Sequence, residues 1–328
     1  MNDMDAPDRR GKVIGYHASH EQLGPDLLLE YVRLAEQAGF DAAMCSDHFY
    51  PWSDAQGESA FAWSWLGAAM QATSIPFGVV CAPGQRYHPA IVAQAAATLA
   101  VMFPGRFWLA LGSGQNINEH ITGERWPTKT ERNARLLECA GVMRALWAGE
   151  TVDHRGLITV ESAKLYTRPE RPPLLVGAAV TPKTAGWVAE WADALITVVQ
   201  SDAVLDEVLR AFRSNGGHDK PAFLQVHVAY AGTDEDARAI AFEEWRQNVQ
   251  ESSVMTDLRD PDQIAAAAAC VRPSDLDGAV RISSDPERHV TWLRHDLERF
   301  DAVYVHDVGR DQRRFIDVFG RDVLPALR

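Results

Sequence analysis

The sequence has few cysteines and no long apolar run. Its four cysteines, Cys45, Cys81, Cys139 and Cys270, lie far apart without a CxxC pair, and three sit in apolar runs where free buried thiols are common. This usage points to a reducing cytoplasm. No unbroken apolar run approaches the ~18 residues of a membrane span, and the polar start MNDMDAPDRR lacks the apolar core of a signal peptide. We therefore expect a cytoplasmic protein without a membrane segment.

Positive charge is also scarce. The 328 residues include 32 lysines and arginines against 45 aspartates and glutamates, which gives a formal net charge of -13. This balance argues against nucleic acid or an anionic membrane as a partner, so we expect a small-molecule partner instead. With 46% hydrophobic and 23% charged residues, the chain has the composition of a globular protein with a sizeable core.

Short β-branched runs alternate with longer helical patterns along the chain, which is typical of βα units. Eight strands, each followed by a helix, favour a TIM (β/α)8 barrel over a doubly wound open sheet. The predicted strands are 13–16, 42–45, 77–81, 107–111, 174–178, 194–198, 223–229 and 303–306. The predicted helices are 25–38, 64–73, 89–102, 131–147, 182–189, 203–213, 234–249, 286–300 and a last one at 312–327.

Two segments exceed the usual length of a βα connection. Residues 149–166 are interpreted as a hairpin around His154, and residues 251–277 contain a helical run at 264–270. Neither has the composition of a linker. The chain is therefore predicted to be a single α/β domain over residues 1–328 with two insertions.

Polar side chains follow several predicted strands. The active sites of TIM barrels lie at the carboxyl ends of the strands, so these side chains are candidates for chemistry. The stretch SDHFYPW places Asp47 and His48 after the second strand, followed by the aromatic residues Phe49, Tyr50 and Trp52. One such histidine alone is as well explained by a structural role, so the clustering of polar groups is what predicts a site.

Two other kinds of site are weaker alternatives. A metal-dependent hydrolase could use His17, His20 and Asp307, but the ends of the fifth and sixth strands offer only alanines and valines as neighbours. A nucleotide-binding loop at GSGQNI lacks the third glycine of GxGxxG. An anion could instead bind where the small residues of AAVT lead into the helix beginning at Pro182.

Five segments resemble the luciferase-like monooxygenase superfamily, and within it the branch of F420-dependent glucose-6-phosphate dehydrogenase. They are GYHASHEQLGP, SDHFYPW, RYHPAIVAQAAATLAVMFPGR, GSGQNINEHITGERWP and GRDQRRFIDVFGRDVLP. The resemblance spans nearly the whole chain and weakens between Val198 and Asp277. It implies a TIM barrel, a homodimer, and an oxidoreductase that moves hydride to or from a small organic substrate with FMN or coenzyme F420. A flavin-binding protein without turnover is the alternative.

The resemblance also implies roles for individual residues. Asp47 would hydrogen-bond the cofactor, His48 would be the general base, and Trp52 would shield the reacting centre from water. The remaining cofactor contacts would come from Val80, Cys81 and Ala82, whose bent and often cis peptide backs the ring, from Ser113 and Gly114 at the tail, and from Ala178 and Ala179 at the phosphate.

The sequence departs from this branch at two places. The branch has a glutamate, the proposed proton donor to the ring, where this chain has Gln115, and an amide cannot supply a proton. A reduced flavin can persist as its anion, so this change favours FMN. The branch also gathers cations for the substrate phosphate, whereas the matching positions here are Val198, Ser201, Met255 and Ala279, with Arg281 as the nearest cation. We therefore expect that glucose 6-phosphate is not the substrate.

Overall fold

The computed structural model describes residues 11–328, so the polar start, which is predicted to lack a signal peptide, lies outside the described residues. Eight parallel strands close into a barrel in the order β1, β2, β3, β4, β7, β8, β9, β11, and β11 pairs with β1. The strands are β1 (Val13–Ala18), β2 (Ala42–Ser46), β3 (Phe77–Cys81), β4 (Phe107–Leu111), β5 (Val152–Arg155), β6 (Thr159–Ala163), β7 (Leu174–Ala178), β8 (Ala194–Val198), β9 (Ala222–Ala229), β10 (Arg281–Ile282) and β11 (Ala302–Asp307).

Helices surround the barrel and cover its outer face. They are α1 (Pro25–Ala38), α2 (Ala62–Ala72), α3 (Pro89–Met102), α4 (Asn116–Glu119), α5 (Lys129–Ala148), α6 (Pro182–Trp191), α7 (Asp202–Phe212), α8 (Asp234–Trp245), α9 (Ser252–Asp257), α10 (Pro261–Ala267), α11 (Pro286–Arg299) and α12 (Gln312–Val318). Among the described residues, no helix is long and apolar enough to cross a membrane.

The predicted TIM barrel is confirmed, and the bounds of β3, β4, β7 and β8 agree residue for residue with those predicted. These strands are buried on both faces, so each appears in the sequence as an unbroken apolar run. Strands β1 and β11 extend further than predicted, and the added residues include the polar His17 in β1 and Asp307 in β11. The hairpin of the first insertion is also confirmed, because β5 and β6 pair antiparallel.

Among the helix predictions whose bounds differ from the structure, two have a clear local cause. The helical run predicted at 264–270 is instead α10, because the Asp260 side chain accepts a hydrogen bond from the N–H of Gln263 and starts the helix earlier. The last helix, predicted to continue to residue 327, keeps regular α geometry only to Val318 and continues as a π-helical turn, Phe319–Val323. There Gly320 lies against α1, where a Cβ atom would come within 2.7 Å of the Ala38 Cβ.

Large aromatic side chains fill the lower part of the barrel. Trp108, Phe223 and Tyr304 pack against one another, and the Trp108 indole N–H donates to the Tyr304 hydroxyl at 3.0 Å. Gly15 and Gly78 make room for them, since a Cβ atom would lie 2.2 Å from the Tyr304 ring and 1.9 Å from the Trp108 ring, respectively. This apolar plug closes the barrel from below, so only the carboxyl ends of the strands are left to form a site.

Candidate active site

Asp47 is held at the end of β2 by three side chains. Its carboxylate accepts hydrogen bonds from Trp63 Nε1 and Tyr87 Oη, both at 3.1 Å, and lies 3.6 Å from Arg86 Nη2. Burial raises the pKa of Asp47, while Arg86, Tyr87 and Trp63 oppose that rise. Asp47 is therefore a buried acceptor in a fixed position beside the mouth of the barrel, where the sequence predicts a cofactor contact.

Arg86 is shared between two buried carboxylates. Its backbone N–H donates to Glu119 Oε2 at 2.8 Å, and its Nε lies 3.5 Å from Glu119 Oε1. Burial raises the pKa of Glu119 against the effect of Arg86. Neither Arg86 nor Glu119 is among the site residues predicted from the sequence, although Glu119 lies one helical turn after Gln115. Because Arg86 is paired with Asp47 and Glu119, it is not free to hold a substrate anion.

His48 has a carboxylate partner that the sequence analysis also missed. Its Nδ1 lies 2.7 Å from Glu21 Oε1, a short contact whose angle is outside the hydrogen-bond range, and Ser19 Oγ donates to the other Glu21 oxygen at 3.1 Å. Burial alone would raise the pKa of Glu21, but His48 and then His17 outweigh it, so that the pKa is lowered to about 2. Glu21 is therefore ionised at neutral pH. Catalytic contacts are often poorly aligned before substrate binds.

The aromatic loop after His48 covers it from one side. The Trp52 ring meets the His48 ring edge-on with 4.9 Å between centroids, and Trp52 is 8% exposed. Gln56 fixes the loop, because its Oε1 accepts from the Trp52 N–H at 2.9 Å and its Nε2 donates to the Glu244 carbonyl at 3.1 Å. Phe49, by contrast, is 49% exposed. Trp52 is thus the aromatic residue of this loop placed to keep water from His48.

Small residues at the ends of β3, β4 and β7 form an open wall beside Asp47. A Cβ atom added to Gly112 would touch only Ala178 Cβ, at 4.0 Å, and one added to Gly114 would lie 3.1 Å from Glu119 Cγ and 3.5 Å from Ala82 Cβ. Val80, Ala82, Ser113 and Ala178 are half-buried there. Such a wall fits the flat ring of a flavin or deazaflavin, so the residues present agree with the expected cofactor.

Two predicted contacts of this wall point away from it. The side chains of Cys81 and Ala179 are buried in the core between the barrel and the helices, so only their backbone atoms face the mouth. All peptide bonds of the described residues are trans, those of Val80, Cys81 and Ala82 included, so the cis bond that is frequent in the family is not present.

A cation lies at the predicted tail-binding residues. Lys129, the first residue of α5, donates from Nζ to Ser113 Oγ at 2.6 Å. Gln115 is half-buried two residues further on, where its Oε1 accepts from Asn118 Nδ2 at 3.4 Å. A hydroxyl and an ammonium group are suited to an anionic cofactor tail.

The residues of the metal alternative do not converge. His17 stacks on His306 with 4.4 Å between centroids, whereas His20 faces Trp65, and Asp307 accepts from the Tyr230 N–H. Within residues 11–328, no group of three His, Cys, Asp or Glu side chains is placed to hold a metal ion.

The positions that match the family's phosphate clamp are uncharged here. Met255 is buried among apolar side chains, and the Ala279 backbone hydrogen-bonds the His227 ring. Arg281, the nearest cation in the sequence analysis, forms a two-pronged ion pair with the fully buried Asp296. The guanidinium of Arg281 is therefore already paired within the protein.

A sequence model of one family, described as luciferase-like monooxygenase, matches residues 13–301. The chain belongs to this family. The recognition made from the five sequence segments is therefore confirmed.

Two similar proteins are described as F420-dependent glucose-6-phosphate dehydrogenases. The F420-dependent glucose-6-phosphate dehydrogenase of Microbacterium testaceum (strain StLB037) is 34% identical over 331 residues, covering 96% of this chain and 97% of that protein. The protein of the same description from Segniliparus rotundus (strain ATCC BAA-972 / CDC 1076 / CIP 108378 / DSM 44985 / JCM 13578) is 35% identical over 336 residues, covering 96% and 98%.

Two solved structures of F420-dependent enzymes are similar in fold to this chain. An F420-dependent secondary alcohol dehydrogenase in complex with an F420-acetone adduct superposes with a TM-score of 0.89 at 29% identity, covering 97% of this chain and 99% of that one. The coenzyme F420-dependent tetrahydromethanopterin reductase of Methanopyrus kandleri shares the fold, with a TM-score of 0.76 at 18% identity and coverage of 97% and 99%.

These comparisons support an oxidoreductase that uses a flavin or a deazaflavin. They give no support to the preference for FMN that Gln115 suggested. That preference rested on the chemistry of one position. The relatives described above match this chain over nearly their whole length, and both are F420-dependent.

Proposed function

We propose that this protein is a dehydrogenase that uses coenzyme F420 and oxidises the hydroxyl group of a small organic alcohol other than glucose 6-phosphate. The observation that carries the proposal is the contact of 2.7 Å between His48 Nδ1 and Glu21, at the barrel mouth beside the wall of small residues. The names of the similar proteins, glucose-6-phosphate and secondary alcohol dehydrogenases, support the reaction class.

Oxidation of an alcohol removes a hydride from carbon and a proton from oxygen. Bound F420 would supply the acceptor for the hydride. His48 accepts the hydroxyl proton, because an imidazole can take up a proton near neutral pH and its Nδ1 side is occupied by Glu21, which leaves Nε2 for the substrate. The ionised Glu21 then stabilises the protonated ring, and Trp52 excludes water from it.

The residues around the wall suit F420 as well as FMN. Lys129 and Ser113 provide a cation and a hydroxyl for an anionic tail, and Asp47 provides a fixed acceptor for the ring. Gln115 can hold the ring through its amide hydrogen bonds without donating a proton to it. The exclusion of glucose 6-phosphate follows from the neutral residues at the clamp positions and from Arg281, which is already paired with Asp296.

Titration of the purified protein with F420 and with FMN, followed by addition of small secondary alcohols, tests the proposal. We expect F420 to bind, its visible absorbance to decrease when alcohol is added, and a ketone to appear in equal amount. Binding of FMN but not of F420 would contradict the cofactor assignment. Binding of F420 without reduction by any alcohol would instead indicate a protein that carries the cofactor without turnover.

A further inference from the structure

Three histidines stand side by side on neighbouring strands above the apolar plug. His306 pairs with His227 in the register of β11 and β9, and the pairing of Tyr16 with Val305 places His17 beside His306. The rings of His17 and His306 are stacked at 4.4 Å, and those of His306 and His227 meet edge-on at 5.5 Å. We refer to His17, His227 and His306 as the histidine row.

The histidine row is uncharged at neutral pH. Burial lowers the pKa of His17 to about 4 and that of His227 to about 3, and it lowers the pKa of His306 well below its usual value. The other charged and titratable groups that act on the row are Glu21, His20 and His48, all through His17. A neutral imidazole offers one hydrogen-bond donor and one acceptor.

Several ring nitrogens of the row have no hydrogen-bond partner. Neither nitrogen of His17 is paired, nor is Nδ1 of His306, although both residues are at most 2% exposed. The half-buried His227 has Gln225 Nε2 3.3 Å from its Nε2, and both side chains lie on the same face of β9 as Phe223, which is the interior of the barrel. Buried polar atoms without partners are rare and need an explanation.

The row lies next to the proposed base. The three histidines lie near the carboxyl ends of β1, β9 and β11, which is the end of the barrel where His48 follows β2. The Glu21 carboxylate is negative, because its pKa is about 2. An anionic group on a substrate would meet this negative charge and neutral imidazoles, whereas a hydroxyl would find donors and acceptors.

We propose, building on the alcohol dehydrogenase function above, that the substrate is an uncharged compound with a second hydroxyl or carbonyl group beyond the hydroxyl that is oxidised, and that the histidine row hydrogen-bonds this second group. A hydroxyl both donates and accepts, so it matches the donor and acceptor of a neutral imidazole. The substrate class is therefore that of diols, hydroxyketones and uncharged sugars.

Three four-carbon alcohols test the proposal, because they differ only in the second group. These are 2-butanol with none, 1,3-butanediol with a hydroxyl, and 3-hydroxybutyrate with a carboxylate. With F420 in the assay, we expect kcat/KM for the diol to exceed that of each of the others by at least about tenfold. A kcat/KM for 2-butanol or 3-hydroxybutyrate that equals or exceeds that of the diol would overturn the proposal.

Substitutions in the row connect the preference to these residues. In His17→Leu and His227→Leu, we expect kcat/KM for the diol to fall at least about tenfold, while that for 2-butanol changes less than about threefold. His295→Leu, at a half-exposed surface position, is the matched control and keeps both values. Equal losses with both alcohols, or no loss, would contradict the role of the row. The affinity of each variant for F420 shows whether that variant is folded. If His17→Leu does not fold, the result for His227→Leu decides.

A binding measurement separates this inference from the function on which it rests. We expect the diol to raise the unfolding temperature of the F420-bound wild-type protein more than 2-butanol does, and to lose this advantage in His17→Leu. If none of the three alcohols is oxidised although F420 binds, the dehydrogenase function itself fails. If 2-butanol is oxidised as well as the diol, only the proposed second group fails.

Discussion

The carboxylate of Glu21 lies 2.7 Å from Nδ1 of His48, although the two residues follow different strands of the barrel. The contact fixes which side of the His48 ring faces the mouth. It also makes Glu21 a positioning residue, because it acts on the substrate only through His48.

Replacement of Glu21 by glutamine removes the negative charge and keeps the shape. We expect kcat for alcohol oxidation to fall by about a hundredfold, since the protonated ring loses its stabilising partner. The affinity for F420 is expected to stay within about twofold of wild type, because Glu21 does not border the wall of small residues. Steady-state kinetics and F420 titration measure the two quantities separately.

The chain offers a matched control for that substitution. Glu138 lies 2.8 Å from His154 Nε2 in the hairpin insertion, so it forms a carboxylate–imidazole pair outside the site. Glu138→Gln is expected to leave kcat unchanged. A similar loss in both variants would show that the effect of Glu21 is not specific to His48.

Stability should depend on pH through His17. Its pKa is lowered from 6.5 to about 4 by burial, so between these values the unfolded chain binds a proton that the folded chain does not. The free energy of unfolding therefore falls as the pH falls, by about 2 kcal/mol from this residue between pH 7 and pH 5. Urea unfolding at pH 7 and pH 5 should show a smaller difference in the free energy of unfolding for His17→Leu than for the wild type. An unchanged dependence would mean that folding does not lower the pKa of His17.

Lys129 should matter for the cofactor and not for the chemical step. Its ammonium group lies at Ser113, where the tail of the cofactor is expected, so Lys129→Met should weaken F420 binding about tenfold with kcat unchanged at saturation. Affinity for a deazaflavin without a phosphate tail should not change. Lys164→Met, at a residue that lies over the Tyr166 ring away from the site, serves as the control for loss of one positive charge.

Much of the barrel could be predicted from the sequence. Strands buried on both faces, such as β3 and β4, are continuous apolar runs, and TIM-barrel geometry then places the residues that follow them at one mouth. This reasoning identified Asp47 and His48 correctly as neighbours at the end of β2. The ends of β1 and β11 were predicted less well, because His17 and Asp307 lie outside the apolar runs from which these strands were predicted.

Contacts between loops could not be predicted in this way. Glu21 reaches His48 only because the loops after β1 and β2 lie side by side, and Arg86 joins Asp47 to Glu119 across three separate segments. The histidine row requires the register of β9, β11 and β1, which hydrophobic patterns do not determine. The directions of Cys81 and Ala179, by contrast, follow from the alternation of side chains along a strand, which the sequence analysis did not apply.

The rate of F420 reduction by a secondary alcohol, compared between wild type and His48→Ala at equal occupancy with cofactor, tests the central claim most directly. We predict that the wild-type protein reduces F420 and that His48→Ala binds F420 with similar affinity but reduces it at least about a hundredfold more slowly. Equal rates in the two proteins, or no reduction by the wild type, would contradict the account.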